Sequence, residues 1–388
     1  MRTVAGVRTS LPHVLAGLLI AAVNMRIAIA SVGPLIEGLR ADTGMSSSLA
    51  GALTTIPYAC MGLFSFTGPG LVRRMGTQHV LTAALALIGA GALLRAAMPT
   101  PALLLAATLP IGVGIALAGI AIPMVIKHHF ADRAGEVTGL YSSSMAAGIV
   151  VAGFAAVPLA AALGGWRGAF AISALPAIAA IPFWLAIRVS DHREPGVGRS
   201  RMLRISPTRD ALLLGTFFGL DTLCVTGMVS WGAAVYEDAG WRPEDAAAAI
   251  WSIGLMTVVA SLTVPRWRLG DPRTRLAAMA ALMTVGLAGI ALAPTSAAAL
   301  WLVAFGFGSG AVLALALNLP LELQPRPDQV GDLSAWMLGL GLTIGALGPV
   351  IVGVLRDASG DFLLPMAALT LASLTHVFLA FLIPSGRQ

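Results

Sequence analysis

The chain alternates long apolar segments with short polar connections. About 20 apolar residues in a helix cross the roughly 30 Å hydrocarbon core of a bilayer, because each residue adds about 1.5 Å. By this measure the sequence contains twelve candidate spans, at 11–39, 46–71, 78–97, 101–126, 136–163, 168–187, 209–236, 243–264, 274–293, 296–323, 332–355 and 362–383. We therefore predict an all-α membrane protein with twelve transmembrane helices.

Composition supports this prediction. Of the 388 residues, 57% are hydrophobic and 11% are charged, whereas a soluble domain carries about 25% charged residues. The isoelectric point near 10.3 arises from cations spread over short connections, so it does not indicate a nucleic-acid partner. Cys60 and Cys224 both lie within predicted spans, and we expect no disulfide.

The distribution of positive charge predicts the orientation. An even number of spans places both termini on one side, and the connections of that side hold 18 of the 24 Lys and Arg residues. The opposite side holds five, and Arg26 is the remaining one. Because cytoplasmic loops are enriched in Lys and Arg, we expect a multi-pass protein of the cell inner membrane with both termini cytoplasmic. The first apolar run exceeds a signal-peptide core, which predicts an uncleaved span.

The sequence divides into two similar halves. Its longest polar segment, 188–208, predicts a cytoplasmic linker between an N-terminal six-helix bundle (1–187) and a C-terminal one (209–388). VRRMG at 72–76 is similar to PRWRLG at 265–270, and Asn24 and Asp221 precede similar polar segments by similar distances. A duplicated six-helix unit is typical of transporters built from parallel repeats.

Four segments are similar to a known family. They are NMRIAIASVGPLIEGL (24–39), PMVIKHHFADRAGEVTGLYSSSMAAG (123–148), GGWRGAFAI (164–172) and GALGPVIVGVLRDASGDF (345–362). Through them the whole chain resembles the major facilitator superfamily, and within it the cyanate and nitroimidazole transporter group. The resemblance implies the major facilitator fold and secondary transport by alternating access.

The chain also departs from the superfamily pattern. In PGLVRRMG, Arg73 stands where the superfamily commonly has Asp, which puts the charge-relay role of that position in doubt. The fourth span has no Arg, and the drug-antiporter pattern G-P-x-x-G-G has only a partial echo in Gly345, Gly348 and Pro349. These departures argue against drug efflux, which stays an alternative.

Two charged residues, Arg26 and Asp221, lie away from the span ends. A charge at the bilayer centre costs about 2.5–3.5 kcal/mol on insertion scales and normally faces a protein interior or a water-filled cavity. The repeat predicts that the two residues lie on opposite walls of a central cavity. Arg26 then binds an anionic group, Asp221 carries a coupling proton or binds a substrate amine, or the two form an ion pair.

Further candidate residues are polar or helix-bending positions within the spans, and each has a packing role as its alternative. The substrate-binding candidates beside Arg26 are Asn24, Tyr58, Ser252, Ser309, Trp336 and Thr343. Asn24 cannot share the helix face of Arg26 and can instead bond a neighbouring helix. The gating candidates are Arg73, Arg74, Glu322, Pro34 and Pro349. His128 and His129 are adjacent in a basic loop, which predicts an interfacial position and no metal site.

Together these features predict a secondary carrier for a small organic or inorganic solute and favour an anionic one, with coupling to protons as a further hypothesis. The alternatives are proton-driven efflux of drug-like compounds such as nitro-heterocycles and, in a different class, a membrane-embedded enzyme or a channel. The sequence has no G-x-x-x-x-G-K-[ST] loop and no clustered catalytic residues, so we expect no cofactor and no enzymatic activity. The expected partners are the small-molecule substrate, the lipid bilayer and protons, with no nucleic acid and a monomeric protein.

Overall fold

A computed structural model describes residues 11–186, 208–267, 271–324 and 327–384. The described part contains fourteen α-helices that together form twelve candidate membrane spans. The helices are α1 (Leu11–Ala30), α2 (Ile36–Thr43), α3 (Ser47–Met75), α4 (Thr77–Ala97), α5 (Pro101–His129), α6 (Ala134–Ala162), α7 (Trp166–Ala186), α8 (Arg209–Asp238), α9 (Pro243–Thr263), α10 (Pro272–Leu292), α11 (Ala298–Leu323), α12 (Pro327–Gly345), α13 (Leu347–Ser359) and α14 (Leu363–Leu382).

The predicted architecture is confirmed, with one local correction. The pair His128–His129, predicted to lie in a loop, forms the last turn of α5. This extension is physically reasonable because cationic side chains interact favourably with the C-terminal end of a helix. The predicted linker at 188–208 lies almost entirely outside the described residues, so the division of the chain into two bundles stays a prediction.

Several helices begin where the sequence offers a cap. The side chains of Ser46, Thr100 and Thr208 accept hydrogen bonds from backbone N–H groups in the first turns of α3, α5 and α8. Such caps matter because the first four N–H groups of a helix have no partner within it. α9 and α10 begin with Pro243 and Pro272, at a position where the missing N–H of proline costs nothing.

The first and eleventh spans are each broken near a proline. α1 and α2 are separated by a 3₁₀ turn at Gly33–Leu35 that contains Pro34. α12 and α13 are separated at Ala346, three residues before Pro349. Proline removes a backbone donor and frees a carbonyl one turn earlier. The two gating candidates Pro34 and Pro349 therefore lie at or next to real helix breaks.

The N-half comprises the described residues 11–186, and the C-half comprises the described residues 208–384. The terminal face is the side at which α1 begins and α14 ends, and the far face is the side at which α3 begins and α13 ends. Closely packed helix pairs within the N-half include α4–α5 and α1–α6, and those within the C-half include α8–α12 and α10–α11. These helix pairs fix the side chains of each half relative to one another.

Candidate functional site

Arg26 lies in α1, one turn before the helix ends at Ala30, and its side chain is partly exposed. Its guanidinium donates a hydrogen bond to the hydroxyl of Tyr58 in α3, at 3.3 Å. Among the residues that the structure describes, no carboxylate lies within ion-pair distance of Arg26. This cation therefore keeps most of its five N–H donors for other partners.

Tyr141 is a second tyrosine in the wider surroundings of Arg26. Tyr141 in α6 is close enough to interact electrostatically with Arg26. Sequence reasoning did not select Tyr141, although it lies in the TGLYSSS segment that carried part of the family resemblance. The hydrogen bond from Arg26 to Tyr58 joins α1 to α3, and Tyr141 of α6 lies within electrostatic range of the guanidinium. A guanidinium with a hydroxyl group beside it is suited to an anion.

Asn24, two residues before Arg26, points elsewhere. Its side chain is 2% exposed, and its amide donates to the carbonyl of Ile20 in the same helix at 2.8 Å. The expected bond to a neighbouring helix is therefore absent in this conformation, because the backbone acceptor one turn earlier is closer. The amide oxygen of Asn24 has no partner.

Asp221 in α8 is buried inside the C-half, with 3% exposure. The ring of Phe217, one turn earlier, lies 4.0 Å from the ring of His376. Cys224, three residues later, donates to the carbonyl of Leu369 at 3.5 Å. Both contacts are to α14, so this face of α8 is turned into its own bundle.

The structure places Asp221 apart from Arg26, and the role of Asp221 stays a prediction. Asp221 forms no ion pair with Arg26 in this conformation, and one of its carboxylate oxygens, Oδ1, has no hydrogen-bond partner among the described residues. The weak similarity between the two halves does not fix their register to a single residue, so the sequence did not determine which face of α8 carries Asp221. Asn24 and Asp221 share their burial and an oxygen without a partner.

Arg95 is a buried cation that sequence reasoning missed. Its position near the end of the third predicted span makes it one of the five cations on the side opposite the termini, but it lies in α4 with 0% exposure. Its guanidinium carbon is 4.1 Å from the ring centroid of Phe170, and it donates to the carbonyl of Ala28 at 3.2 Å. Ala28 is in the last turn of α1, where carbonyls lack partners within the helix. Arg95 therefore caps the broken end of the helix that carries Arg26.

The remaining substrate-binding candidates do not converge on Arg26 through the hydrogen bonds described. The hydroxyls of Ser252, Ser309 and Thr343 each donate to a backbone carbonyl of their own helix, three or four residues earlier. Trp336 is partly buried against the core of the C-half. A substrate would therefore compete with an existing bond at each of the three hydroxyls.

The charged gating candidates lie near the terminal face. Arg74 and Glu322 are exposed at the ends of α3 and α11. The side chain of Arg73 lies outside the described residues. Neither Arg74 nor Glu322 has an ion-pair partner in the part of the chain that the structure describes.

Contacts between the halves extend from the middle of the molecule to the far face. On one side of the molecule, α3 packs along α12 and α13. Thr55 donates to the carbonyl of Ala346 at 2.6 Å, and Ser230 of α8 donates to Thr54 at 2.9 Å. On the other side, the rings of Trp251 in α9 and Phe154 in α6 stack at 5.7 Å. The conformation is thus closed at the far face.

Comparisons with known proteins agree with this architecture. The family model described as Major Facilitator Superfamily matches residues 18–349. The chain is 31% identical to the cyanate transport protein CynX of Escherichia coli (strain K12), over 94% of this chain and 96% of that protein. It is 30% identical to the 2-nitroimidazole transporter of the same organism, over 93% of this chain and 92% of that protein. The chain belongs to the major facilitator superfamily.

Solved structures resemble the chain in fold. The nucleoside transporter NupG has a TM-score of 0.78 at 14% identity, covering 95% of this chain and 99% of that one. A D-xylose–proton symporter has a TM-score of 0.77 at 15% identity, covering 97% and 99%. A bacterial homologue of the lysosomal transporter Spinster, in an inward-facing and occupied conformation, also scores 0.77 at 15% identity, covering 98% of both chains. The protein is a multi-pass membrane transporter and not an enzyme.

Proposed function

We propose that the protein is a secondary carrier that moves a small anionic solute by alternating access, with Arg26 as the substrate-binding cation. One observation carries this proposal: the partly exposed guanidinium of Arg26 is held by the Tyr58 hydroxyl and faces no carboxylate among the described residues. An unpaired charge within a membrane span is costly and marks a functional site.

The chemistry of the site favours a small ligand with exposed acceptor atoms. A guanidinium presents parallel N–H donors to two acceptor atoms of an anion, and Tyr58 and Tyr141 add hydroxyl donors nearby. Cyanate is a small anion, and a nitro group presents two oxygen acceptors. The names of the two Escherichia coli relatives therefore fit one kind of site, and we propose cyanate-like anions as the first substrates to test.

Binding to purified protein tests this proposal. We expect sodium cyanate to raise the melting temperature of the wild type by mass action. Arg26→Ala should weaken binding by about tenfold to a hundredfold, because hydrogen bonds to charged groups contribute about 1.5–3 kcal/mol. Arg242→Ala, which removes an exposed cation at the start of α9, is the matched control and should bind as the wild type does. Unchanged affinity in Arg26→Ala would exclude Arg26 as the binding cation.

We further propose that Asp221 carries the coupling proton. Its side chain is 3% exposed, and none of the ion pairs among the described residues includes it. A lone charge inside a membrane span is costly, which favours a carboxyl group that binds a proton there. A proton can reach a buried carboxyl group through brief openings of the structure, whereas a substrate amine requires an open cavity beside the carboxylate. Burial therefore favours the proton over the amine that the sequence also allowed.

Accumulation in proteoliposomes tests the role of Asp221. With a pH gradient imposed, Asp221→Asn should abolish concentrative uptake but keep substrate exchange, because the amide cannot carry a proton. Asp245→Asn, at an exposed site in the first turn of α9, is the control. Concentrative uptake that survives in Asp221→Asn would remove Asp221 from the coupling mechanism.

The proposed setting is the cell inner membrane, with both termini in the cytoplasm and the protein acting as a monomer. The excess of Lys and Arg on the terminal face supports this orientation. The contacts at the far face then correspond to an inward-facing conformation. Impermeant labelling of a cysteine introduced at Ser10, in intact cells and in inverted vesicles, tests the orientation, and we expect labelling only in inverted vesicles.

A second candidate function is proton-driven efflux of nitro-heterocycles, which the similarity to the 2-nitroimidazole transporter favours. Efflux and uptake require the same site but opposite net flux. Transport of 2-nitroimidazole into inverted vesicles that is stimulated by an inside-acid gradient would support efflux. Stimulation of cyanate uptake into right-side-out vesicles by an outside-acid gradient would support the first proposal.

A further inference from the structure

Asp357 accepts hydrogen bonds that join the two halves. Of the described hydrogen bonds between the halves, these lie nearest the far face. Asp357 belongs to the last turn of α13 in the C-half. Its two carboxylate oxygens accept hydrogen bonds from the backbone N–H groups of Ser47 and Ser48, each at 2.8 Å. Ser47 and Ser48 are the first two residues of α3 in the N-half. We call this arrangement the cross-half cap.

The cross-half cap satisfies groups that α3 cannot satisfy itself. The first four N–H groups of a helix lack intrahelical acceptors, and the helix dipole places positive potential there. The cap within the same half, the Ser46 side chain, accepts from the N–H of Leu49 and shares a hydrogen bond with the Ser48 hydroxyl, but it bonds neither backbone N–H of the first two residues. Asp357 supplies both acceptors for the first two residues and a negative charge at the positive end of the helix.

The C-half holds Asp357 firmly at this position. The neighbouring Arg356 donates to Asp238 at the end of α8 at 2.8 Å, and its guanidinium lies 4.5 Å from the ring centroid of Phe362. Gly353, one turn before Asp357, lies so close to the carbonyl of Ser47 that a Cβ atom would overlap it. The carboxylate therefore moves with the C-half, while its two donors move with the N-half.

We infer that Asp357 is a positioning residue of the transport cycle that stabilises the conformation closed at the far face. The cross-half cap forms when the halves meet at that face and breaks when they separate. This inference rests on the proposed alternating access. The cross-half cap joins two halves that move relative to each other. Its loss therefore shifts the equilibrium from the conformation closed at the far face towards the open one.

Thiol labelling of a residue buried between the halves tests the inference. Ser230→Cys is the reporter, since Ser230 is 2% exposed and hydrogen-bonded to Thr54 across the halves. The background carries Cys60→Ala and Cys224→Ser, and the full-length protein is reconstituted in lipid nanodiscs without substrate. Adding Asp357→Ala should raise the rate of maleimide labelling about tenfold, which is the size expected from losing a helix cap.

Two control variants separate a change in conformation from a damaged helix. Ser46→Ala removes the cap of the same helix that lies within one half, so it should leave reporter labelling within about twofold of the background. Asp361→Ala removes a carboxylate that accepts from Leu363 within the C-half and should behave likewise. Equal acceleration by Ser46→Ala would show fraying of α3 and overturn the inference.

Further measurements keep the test decisive. If Asp357→Ala does not fold, Asp357→Asn keeps the size and one acceptor, and it should accelerate labelling by a smaller factor at an unchanged melting temperature. An unchanged labelling rate in Asp357→Asn and in any folded Asp357→Ala would contradict the inference. Labelling needs no substrate, so it can support the cross-half cap even if cyanate does not bind. Conversely, a labelling result against the cross-half cap leaves the proposed substrate binding by Arg26 untouched.

Discussion

At the scale of single residues, two arginines of the N-half have opposite surroundings. Arg26 is partly exposed and bonded to a hydroxyl, which leaves donors for a ligand. Arg95 is fully buried, stacked on Phe170 and bonded to a backbone carbonyl. The planar guanidinium suits both tasks, because it can stack on an aromatic ring and still donate in its own plane. The same side chain thus serves as a candidate ligand-binding group and as a helix cap.

Tyr58 offers a prediction at this scale. Tyr58→Phe removes the hydroxyl that orients the Arg26 guanidinium but keeps the ring. We expect the KM for cyanate to rise about two- to tenfold with little change in maximal rate, because a single neutral hydrogen bond contributes about 0.5–1.5 kcal/mol. Initial-rate transport assays in proteoliposomes measure both quantities. The control is Tyr236→Phe, which changes a buried tyrosine whose hydroxyl has no hydrogen-bond partner in the described part of the chain. An equal effect there would contradict the assignment.

At the scale of helices, the breaks in spans one and eleven place polar groups between the halves. Pro349 has no N–H for the carbonyl of Gly345, four residues earlier, and this carbonyl accepts from Thr226 at 2.6 Å. The adjacent carbonyl of Ala346 accepts from Thr55, also at 2.6 Å. Thr226 belongs to the C-half and Thr55 to the N-half. The break between α12 and α13 therefore provides carbonyl acceptors for both the N-half and the C-half. The bond to Thr55 is one of the contacts between the halves.

Gly353 offers a prediction at the scale of helix packing. A Cβ at this position would overlap the carbonyl oxygen of Ser47, so Gly353→Ala should force α13 away from α3. We expect faster labelling of the Ser230→Cys reporter and a weaker closed state at the far face. Gly331→Ala in α12, where a Cβ meets open space, is the matched control. Unchanged labelling in Gly353→Ala would mean that α13 can shift without separating the halves.

At the scale of the whole molecule, transport by alternating access requires the halves to separate at the far face. The closed face combines hydrogen bonds between α3, α8 and the eleventh span with aromatic stacking between α6 and α9. Gly153 makes the second contact possible, since any side chain there would overlap the ring of Trp251. Polar bonds on one side and apolar packing on the other therefore close the same face.

A covalent bond between the halves should stop the cycle. The background again carries Cys60→Ala and Cys224→Ser. In it, Thr54→Cys with Ser230→Cys replaces two hydroxyls that lie 2.9 Å apart, one in each half. Oxidation should abolish counterflow in proteoliposomes, and a reductant should restore it. The control pair Thr284→Cys and Ser373→Cys replaces hydroxyls 2.7 Å apart within the C-half. Counterflow that persists after complete cross-linking of the first pair would contradict the proposed rocking of the halves.

The sequence by itself determined the twelve spans, the all-α class and the family, because membrane insertion depends on the length and apolarity of consecutive residues. It also singled out Arg26 and Asp221 as charges within spans. The tertiary structure alone decided which faces of α1 and α8 are turned inward. Charge counting could not distinguish Arg95, buried in α4, from a cation in a connection. Burial and the cross-half cap depend on contacts between helices, and the cap joins residues about 310 positions apart.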